Sequence, residues 1–109
     1  MKADNGPMLD IAELHERATG VRVCKTLPCG DDYIILLDYY EASQAKLRAN
    51  LRRLKMTGEV VWMASAPGSS DIFINVDLRG GRLVAWTWEG FMMTVDHDTG
   101  RVDEAVSTK

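Results

Sequence analysis

Apolar and polar side chains alternate along most of this chain, in short runs separated by turns that contain glycine. Successive side chains of an extended strand point to opposite faces, so strict alternation predicts strands with one buried face. The clearest case is residues 71–78, where one face is apolar and the other is mostly polar. The predicted buried face carries Ile72, Ile74, Val76 and Leu78, and the opposite face carries Asp71, Phe73, Asn75 and Asp77.

Three further strands follow in sequence and are joined by tight turns. Residues 82–88 place Trp86 and Trp88 on the same predicted face, and residues 91–95 alternate in the same way. Residues 101–106 form a weaker and more charged last strand. Charged side chains on a last strand discourage pairing between sheet edges, so this strand is predicted to lie at an edge.

The first half of the chain contains comparable runs. Residues 21–27 and 59–64 alternate, whereas residues 33–40 are apolar on both faces and predict a central strand that is covered on both sides. Short strands with regularly spaced turn signals are typical of all-β folds. The sequence therefore predicts an antiparallel meander of about eight short strands, arranged as a sandwich or an open barrel.

A short helix is predicted before the first strand. Residues 7–18 have a thin apolar stripe, Pro7 is acceptable in a first helical turn, and Gly20 is a plausible stop. We therefore expect residues 1–20 to form an N-terminal extension or short helix and residues 21–109 to form a single all-β domain.

Local signals conflict over residues 41–56. Three leucines recur there at helical spacing, and Ser43 is able to cap a helix. Against this, residues 50–62 have the outline of a strand, a Thr-Gly turn and a second strand. We expect a loop over residues 41–46 followed by a strand, and a helix remains the alternative. The three leucines are Leu47, Leu51 and Leu54.

The composition is that of a soluble globular protein. The chain has 109 residues, of which 46% are hydrophobic and 27% are charged, and its formal net charge is -3. An acidic chain lacks the overall positive electrostatic field that attracts phosphate backbones, so we expect no nucleic-acid partner.

The apolar segments and the cysteines of the chain bear on its location in the cell. No run of 18 apolar residues exists, and residues 1–7 lack the apolar segment of a signal peptide, so we expect a cytoplasmic protein without a membrane partner. Cys24 and Cys29 are spaced neither as a redox pair nor as a zinc ligand pair. Free thiols are favoured over a disulfide or a metal role.

Candidate catalytic and metal-binding residues are few. His15 and His97 have no ligand spacing to each other or to a cysteine, which favours two surface histidines. Asp96 and Asp98 suggest a calcium loop, but Gly100 falls at the fifth position instead of the sixth, so a turn is favoured. We therefore expect no catalytic residue, no metal and no cofactor.

The segment 48–104 resembles the repeats of quinoprotein-type, PQQ-like β-propellers, and also a group of small uncharacterised bacterial proteins that carry the same pattern. Two Thr-Gly turns mark the two copies, and apolar positions surround both turns. The positions that carry the resemblance are Asn50, Leu51, Leu54, Thr57, Gly58, Val60, Val61 and Trp62 in the first copy, and Leu83, Val84, Ala85, Thr87, Trp88, Gly90, Phe91, Val95, Asp96, Thr99, Gly100 and Val102 in the second. The resemblance implies two blade-like sheets, which are too few for a closed propeller, and it implies no quinone cofactor.

Two functions from different classes remain. Two blade-like sheets have edges that need cover, so the first is a non-enzymatic interaction or assembly module that uses an exposed sheet face or edge to bind another protein or itself. Its predicted interaction residues are Trp86, Trp88, Phe73, Arg52 and Arg53. The alternative is a small-ligand-binding protein or enzyme with a pocket between curved sheets, for which the polar candidates are Asp31, Asp32 and His97.

Overall fold

Two helices and eight strands follow one another in the part of the chain that the computed structural model describes, which is the backbone of residues 7–107 and the side chains of residues 11–103. The helices are α1 (Pro7–Thr19) and α2 (Tyr39–Gln44). The strands are β1 (Val23–Cys29), β2 (Asp32–Leu37), β3 (Leu51–Leu54), β4 (Val60–Ala64), β5 (Phe73–Arg79), β6 (Arg82–Thr87), β7 (Phe91–Val95) and β8 (Val102–Ser107).

The strands form two four-stranded antiparallel sheets in which each strand pairs with its neighbour in sequence. The first sheet has the order β1-β2-β3-β4 and the second has the order β5-β6-β7-β8. The sheets are not closed into a barrel. The predicted all-β meander with an N-terminal helix is therefore confirmed.

One hydrophobic core joins the facing sides of the two sheets. Alternate residues of each strand point into it, as the period of two requires. The first sheet contributes Cys29, Ile34, Leu36, Leu51, Trp62 and Ala64, and the second contributes Phe73, Val76, Leu83, Ala85, Met93 and Val95. These side chains fill the space between the sheets, where the sequence alternative placed a ligand pocket.

The outer face of the first sheet is buried too. Helix α1 packs on β1, and Ile11 of α1 joins a second cluster with Ile35 and Leu37 of β2 and Ala42 of α2. Because both of its faces are covered, β2 is apolar from Ile34 to Leu37. The central strand predicted from the sequence is confirmed, although it ends at Leu37.

The ambiguous segment contains both a helix and a strand. Asp38 caps α2, because its side chain accepts a hydrogen bond from the backbone N–H of Glu41 at 3.0 Å. The expected loop over residues 41–46 was therefore wrong as far as Gln44. The strand expected after it is β3, and Asn50 holds its start by donating to the carbonyls of Leu37 at 3.1 Å and Phe73 at 2.8 Å.

A bulge in β5 changes which of its side chains are buried. Phe73 pairs with Thr87 and Asn75 pairs with Trp86, so Ile74 is an extra residue between them. The bulge turns Phe73 into the inter-sheet core and leaves Ile74 exposed. The predicted faces of residues 71–78 were wrong at these two positions, and Asp71 of the predicted polar face is buried too. Phe73 is not accessible to a partner.

Candidate functional site

The two open sheets have four edge strands, β1, β4, β5 and β8. Charged side chains and proline on an edge hinder pairing with another chain. Three of the four edges carry such residues, which are Lys25, Pro28, Asp77, Arg79, Asp103 and Glu104. The β4 edge has the sequence Val-Val-Trp-Met-Ala and carries none.

Strand β4 exposes an apolar surface at this edge, which has no charged residue and no proline, and whose regular pairing is interrupted by a bulge at Val61. Val60, Val61 and Met63, which we call the β4 edge surface, are exposed, whereas Trp62 and Ala64 point into the core. Among the described strands β4 pairs only with β3, so the backbone groups on its other side have no strand partner. Exposed apolar side chains beside unpaired strand backbone form a surface suited to pairing with another strand.

A second candidate surface lies where α2 meets the turn between β6 and β7. The rings of Tyr39 and Trp88 stack with centroids 5.3 Å apart and planes inclined by 29°. Trp88 is nevertheless 61% exposed, and Tyr40 is also exposed. These three aromatic residues, with Ser43, Ser70 and Ile72, line a cavity of about 310 Å³.

This cavity continues into a more polar one of about 370 Å³, because both are lined by Ser43, Ser70 and Ile72. Lys46 and Arg48 line the polar end. We call the two cavities together the aromatic groove and the two cations its cationic end. Arg48 donates to the carbonyl of Gly68, and neither cation forms an ion pair with another described residue.

Backbone hydrogen bonds fix the wall of the groove that carries Trp88. The N–H of Trp88 donates to the carbonyl of Ile72 at 2.9 Å. The buried carboxylate of Asp71 accepts from the N–H groups of Ile72 at 2.9 Å and Glu89 at 3.0 Å. The tryptophan therefore lies on a turn that is anchored by its own N–H and by that of Glu89, so the groove is largely preformed.

The two predicted interaction tryptophans have separate surroundings. Trp86 is half-buried in β6, and the guanidinium of Arg79 lies 4.9 Å from the centroid of its ring. Trp88 follows the end of β6, lines the aromatic groove and contacts Tyr39. Trp86 does not line the groove, so only Trp88 combines high exposure with a cavity.

The two predicted interaction arginines lie on opposite faces of β3. Arg52 is buried, and its Nη1 lies 3.0 Å from Nε2 of His15 in α1. Arg53 donates from Nε to Asp32 at 2.8 Å and from Nη1 to the carbonyl of His97 at 2.6 Å. Both guanidinium groups therefore bond within the fold instead of forming a basic surface.

Arg53 belongs to a contact that joins the two sheets at one end. Trp62 Nε1 donates to the same carbonyl of His97 at 2.8 Å. Gly100 lies against the Trp62 ring, where an added Cβ would approach to 2.6 Å. The contact brings Asp32 and His97 close together, as the ligand-pocket alternative required, but it uses the Asp32 carboxylate and the His97 carbonyl to hold the sheets.

His15 was expected on the surface, and this was wrong. It lies one helical turn after Ile11, so both side chains point towards the first sheet. Burial lowers the pKa of His15, and the charge of Arg52 lowers it further. Because Arg52 is a donor, Nε2 of the neutral imidazole accepts its hydrogen bond. The i, i+4 spacing from Ile11 was the available sequence signal.

The described residues were searched for a metal-binding group and for a helix able to span a bilayer. They contain no group of three or more histidine, cysteine, aspartate or glutamate residues able to hold a metal ion. Cys24 and Cys29 are both free, and burial is the main cause that raises the pKa of Cys24. No helix in the described part of the chain is long and apolar enough to cross a bilayer.

Several residues of the two candidate surfaces were not recognised in the sequence. Tyr39 and Tyr40 were assigned to the end of a strand, and Val61 and Met63 were treated as ordinary strand residues. Their exposure depends on where β2 ends and on β4 having one neighbour, which local alternation does not report.

Comparison with known proteins identifies a family for this chain. No curated protein matches the chain. The resemblance to quinoprotein-type propeller repeats was wrong, because the family that matches is not a propeller or quinoprotein family. Turn and core positions of the kind that suggested it are common to antiparallel meanders. The family model that matches covers residues 20–106, and the chain belongs to this family, a domain of unknown function (DUF7957).

Proposed function

We propose that this protein is a non-enzymatic assembly module that pairs with a second copy of itself through the β4 edge. The observation that carries the proposal is the difference among the four edges. Only β4, of the described edge strands, has neither a charged residue nor a proline, and its β4 edge surface is apolar and exposed.

A second copy is the occupant that best suits this edge. Antiparallel pairing about a twofold axis places β4 against itself, so any charge on the strand would meet a like charge nearby. No residue from Val60 to Ser65 is charged. Pairing centred on Trp62 sets Val61 opposite Met63 of the second copy, which covers both exposed side chains and joins the two first sheets into one.

The contact is small. A pair of five-residue strands buries less than the ~1,200 Å² that is the lower range of stable protein interfaces. We therefore expect a weak dimer with a dissociation constant on the order of micromolar, whose population rises with protein concentration.

The remaining parts of the proposal concern the chain as a whole. A single domain over residues 21–109 with residues 1–20 as an extension is supported by the family match, which starts at residue 20. A cytoplasmic location is supported by the two free cysteines, because thiols stay reduced there.

A lysine substitution on the edge tests the dimer. Val61 in β4 and Ile74 in β5 are both β-branched, lie on edge strands and are each 39% exposed, so Val61→Lys and Ile74→Lys form a matched pair. We expect Val61→Lys to give a monomer at all concentrations in sedimentation velocity runs, and Ile74→Lys to dimerise like the unmodified chain.

Three results would contradict the proposal. The unmodified chain would remain monomeric up to about millimolar concentration, which exceeds the expected dissociation constant a thousandfold. Alternatively, both lysine variants would weaken the dimer equally, which would assign it to another surface. A dimer that is unchanged in Val61→Lys, with circular dichroism showing that the variant is folded, would exclude the β4 edge.

A further inference from the structure

We infer that the aromatic groove binds an extended segment of a partner protein in which prolines are followed by acidic residues. This site is separate from the β4 edge, and the inference does not depend on the proposed dimer. The argument uses the aromatic end of the groove, its cationic end and the rigidity of its walls.

The aromatic end suits proline. Tyr40 and Trp88 each expose a large aromatic surface, and the stacked Tyr39 ring supports Trp88 from one side. Grooves lined by aromatic side chains bind proline-rich segments, which already have the extended polyproline II conformation and so lose little entropy on binding. Between the two ends, the Ser43 hydroxyl can donate to a backbone carbonyl of such a segment, and the Ser70 oxygen, whose proton is donated to Glu89, can accept from a backbone N–H.

The cationic end suits carboxylates. The chain has a net charge of -3, yet Lys46 and Arg48 line this end without an ion pair to any described residue. The nearby carboxylates are already engaged. Asp71 accepts two backbone N–H groups, and Glu89 accepts from the hydroxyl of Ser70 at 3.1 Å. The cationic end therefore has two exposed cations beside one buried carboxylate, that of Asp71, and this excess of positive charge at one end sets the direction of the bound segment.

Lys46 adds an independent observation. Its φ of 61° lies in the left-handed region, and it is a non-glycine residue at the end of α2, where glycine would be unstrained. Strained backbone is often kept where a side chain has a role in binding. A lysine at this position keeps its ammonium group at the cationic end, where glycine would offer none.

The test uses fluorescence anisotropy with labelled synthetic peptides and the full chain. The first peptide contains a run of prolines followed by aspartates. In the second, lysines replace the aspartates, and in the third, alanines replace the prolines. We expect the first peptide to bind at least ~10-fold more tightly than either of the others, which corresponds to a difference of about 1.4 kcal/mol.

Variants separate the two ends of the groove. Trp88→Ala is expected to weaken binding of the first peptide more than ~10-fold, since aromatic contacts dominate such sites. Its control is Phe91→Ala, which removes another exposed aromatic side chain that lines a different cavity and should leave binding unchanged. Lys46→Gly is expected to weaken binding of the first peptide while the midpoint of thermal unfolding stays the same or rises, because glycine relieves the left-handed strain.

Four outcomes would contradict the inference, three of them for the groove as a whole and one for the role of Lys46. If the aspartate and lysine peptides bind with equal affinity, the cationic end does not recognise carboxylates. No binding by a folded chain at millimolar peptide would remove the site. Binding of a small aromatic acid, for which indole acetate is the probe, as tightly as the first peptide would assign the groove to a small molecule. If Lys46→Gly lowers stability and leaves affinity unchanged, the lysine has a structural role only.

Discussion

The two sheets have the same topology but different outer faces. The first sheet is covered on its outer side by α1 and α2, and Ile35, Leu37 and Leu54 are buried there. The second sheet turns mostly polar or half-buried side chains outward, among them Asn75 and Asp77, and Val84 is a buried exception. A sheet that receives helices needs strands that are apolar on both faces, whereas a sheet that faces solvent needs strict alternation. The two sheets thus have the same strand order but different patterns of apolar residues along their strands.

Strand β4 is an exception within the first sheet. It keeps apolar residues on its outer side, yet Val61 and Met63 remain exposed. Its neighbour Arg52 marks the limit of the covered area, because that side chain is buried against His15 of α1 while its cross-strand partner Met63 is exposed. Pairing with a second copy supplies the cover that the helices give to the other strands.

Two isoleucines provide the strongest test of this difference between the sheets. Ile35→Ala removes a fully buried side chain beneath the helices, and we expect a loss of about 2–5 kcal/mol in the free energy of unfolding. Ile74→Ala acts at the exposed bulge of the second sheet and should cost less than about 1 kcal/mol. Urea denaturation of both variants checks this, and equal losses would contradict the assigned outer faces.

The connection between the sheets is tested next. Asn50 is fully buried and bonds the backbone of both sheets, so Asn50→Ala leaves buried polar groups unpaired and should cost about 1–3 kcal/mol. Asn75→Ala is the matched control, because Asn75 is exposed on the second sheet and its side chain bonds Lys25 at the surface. Its expected loss is below about 0.5 kcal/mol. Similar urea midpoints for the two variants would show that Asn50 does not hold the sheets together.

The smallest expected effect concerns helix α1, which covers the first sheet. Burial of its His15 makes the free energy of unfolding depend on pH. The pKa of His15 is lowered in the folded chain, so the unfolded chain takes up a proton at higher pH than the folded chain does. The contribution of His15 to the free energy of unfolding is therefore fully present above about pH 6.5, the ordinary histidine pKa, and is lost as the pH decreases below that value. One proton limits the slope to about 1.4 kcal/mol per pH unit.

Two glutamine substitutions isolate this effect in urea titrations at several pH values. His15→Gln should remove most of the decline between the ordinary histidine pKa and the lower folded value, whereas His97→Gln, at a half-exposed turn, should retain it. A decline that persists in His15→Gln would show that another group is responsible.

Much of the fold was predictable from the sequence, and particular residues show where prediction stopped. Residues 34–37 are apolar on both faces, which identified the central strand without any knowledge of its neighbours. Residues 71–78 alternate just as clearly, yet the bulge at Ile74 reversed the positions of Phe73 and Ile74. A bulge is defined by the pairing of a strand with its neighbour, where two residues of one strand face one residue of the other. The alternation within a single strand does not reveal that pairing.

Alternation and turn residues were enough to predict the fold class, because they are local properties of an antiparallel meander. The sequence also nominated Trp88, together with Trp86, for an interaction surface, because the two tryptophans fall on one face of a predicted strand. The tertiary structure decided which side chains are accessible. The burial of Arg52 against His15, the stacking of Trp88 on Tyr39 and the free edge of β4 all join or separate residues distant in sequence. Such contacts depend on how the two sheets and the helices pack, which no local pattern records.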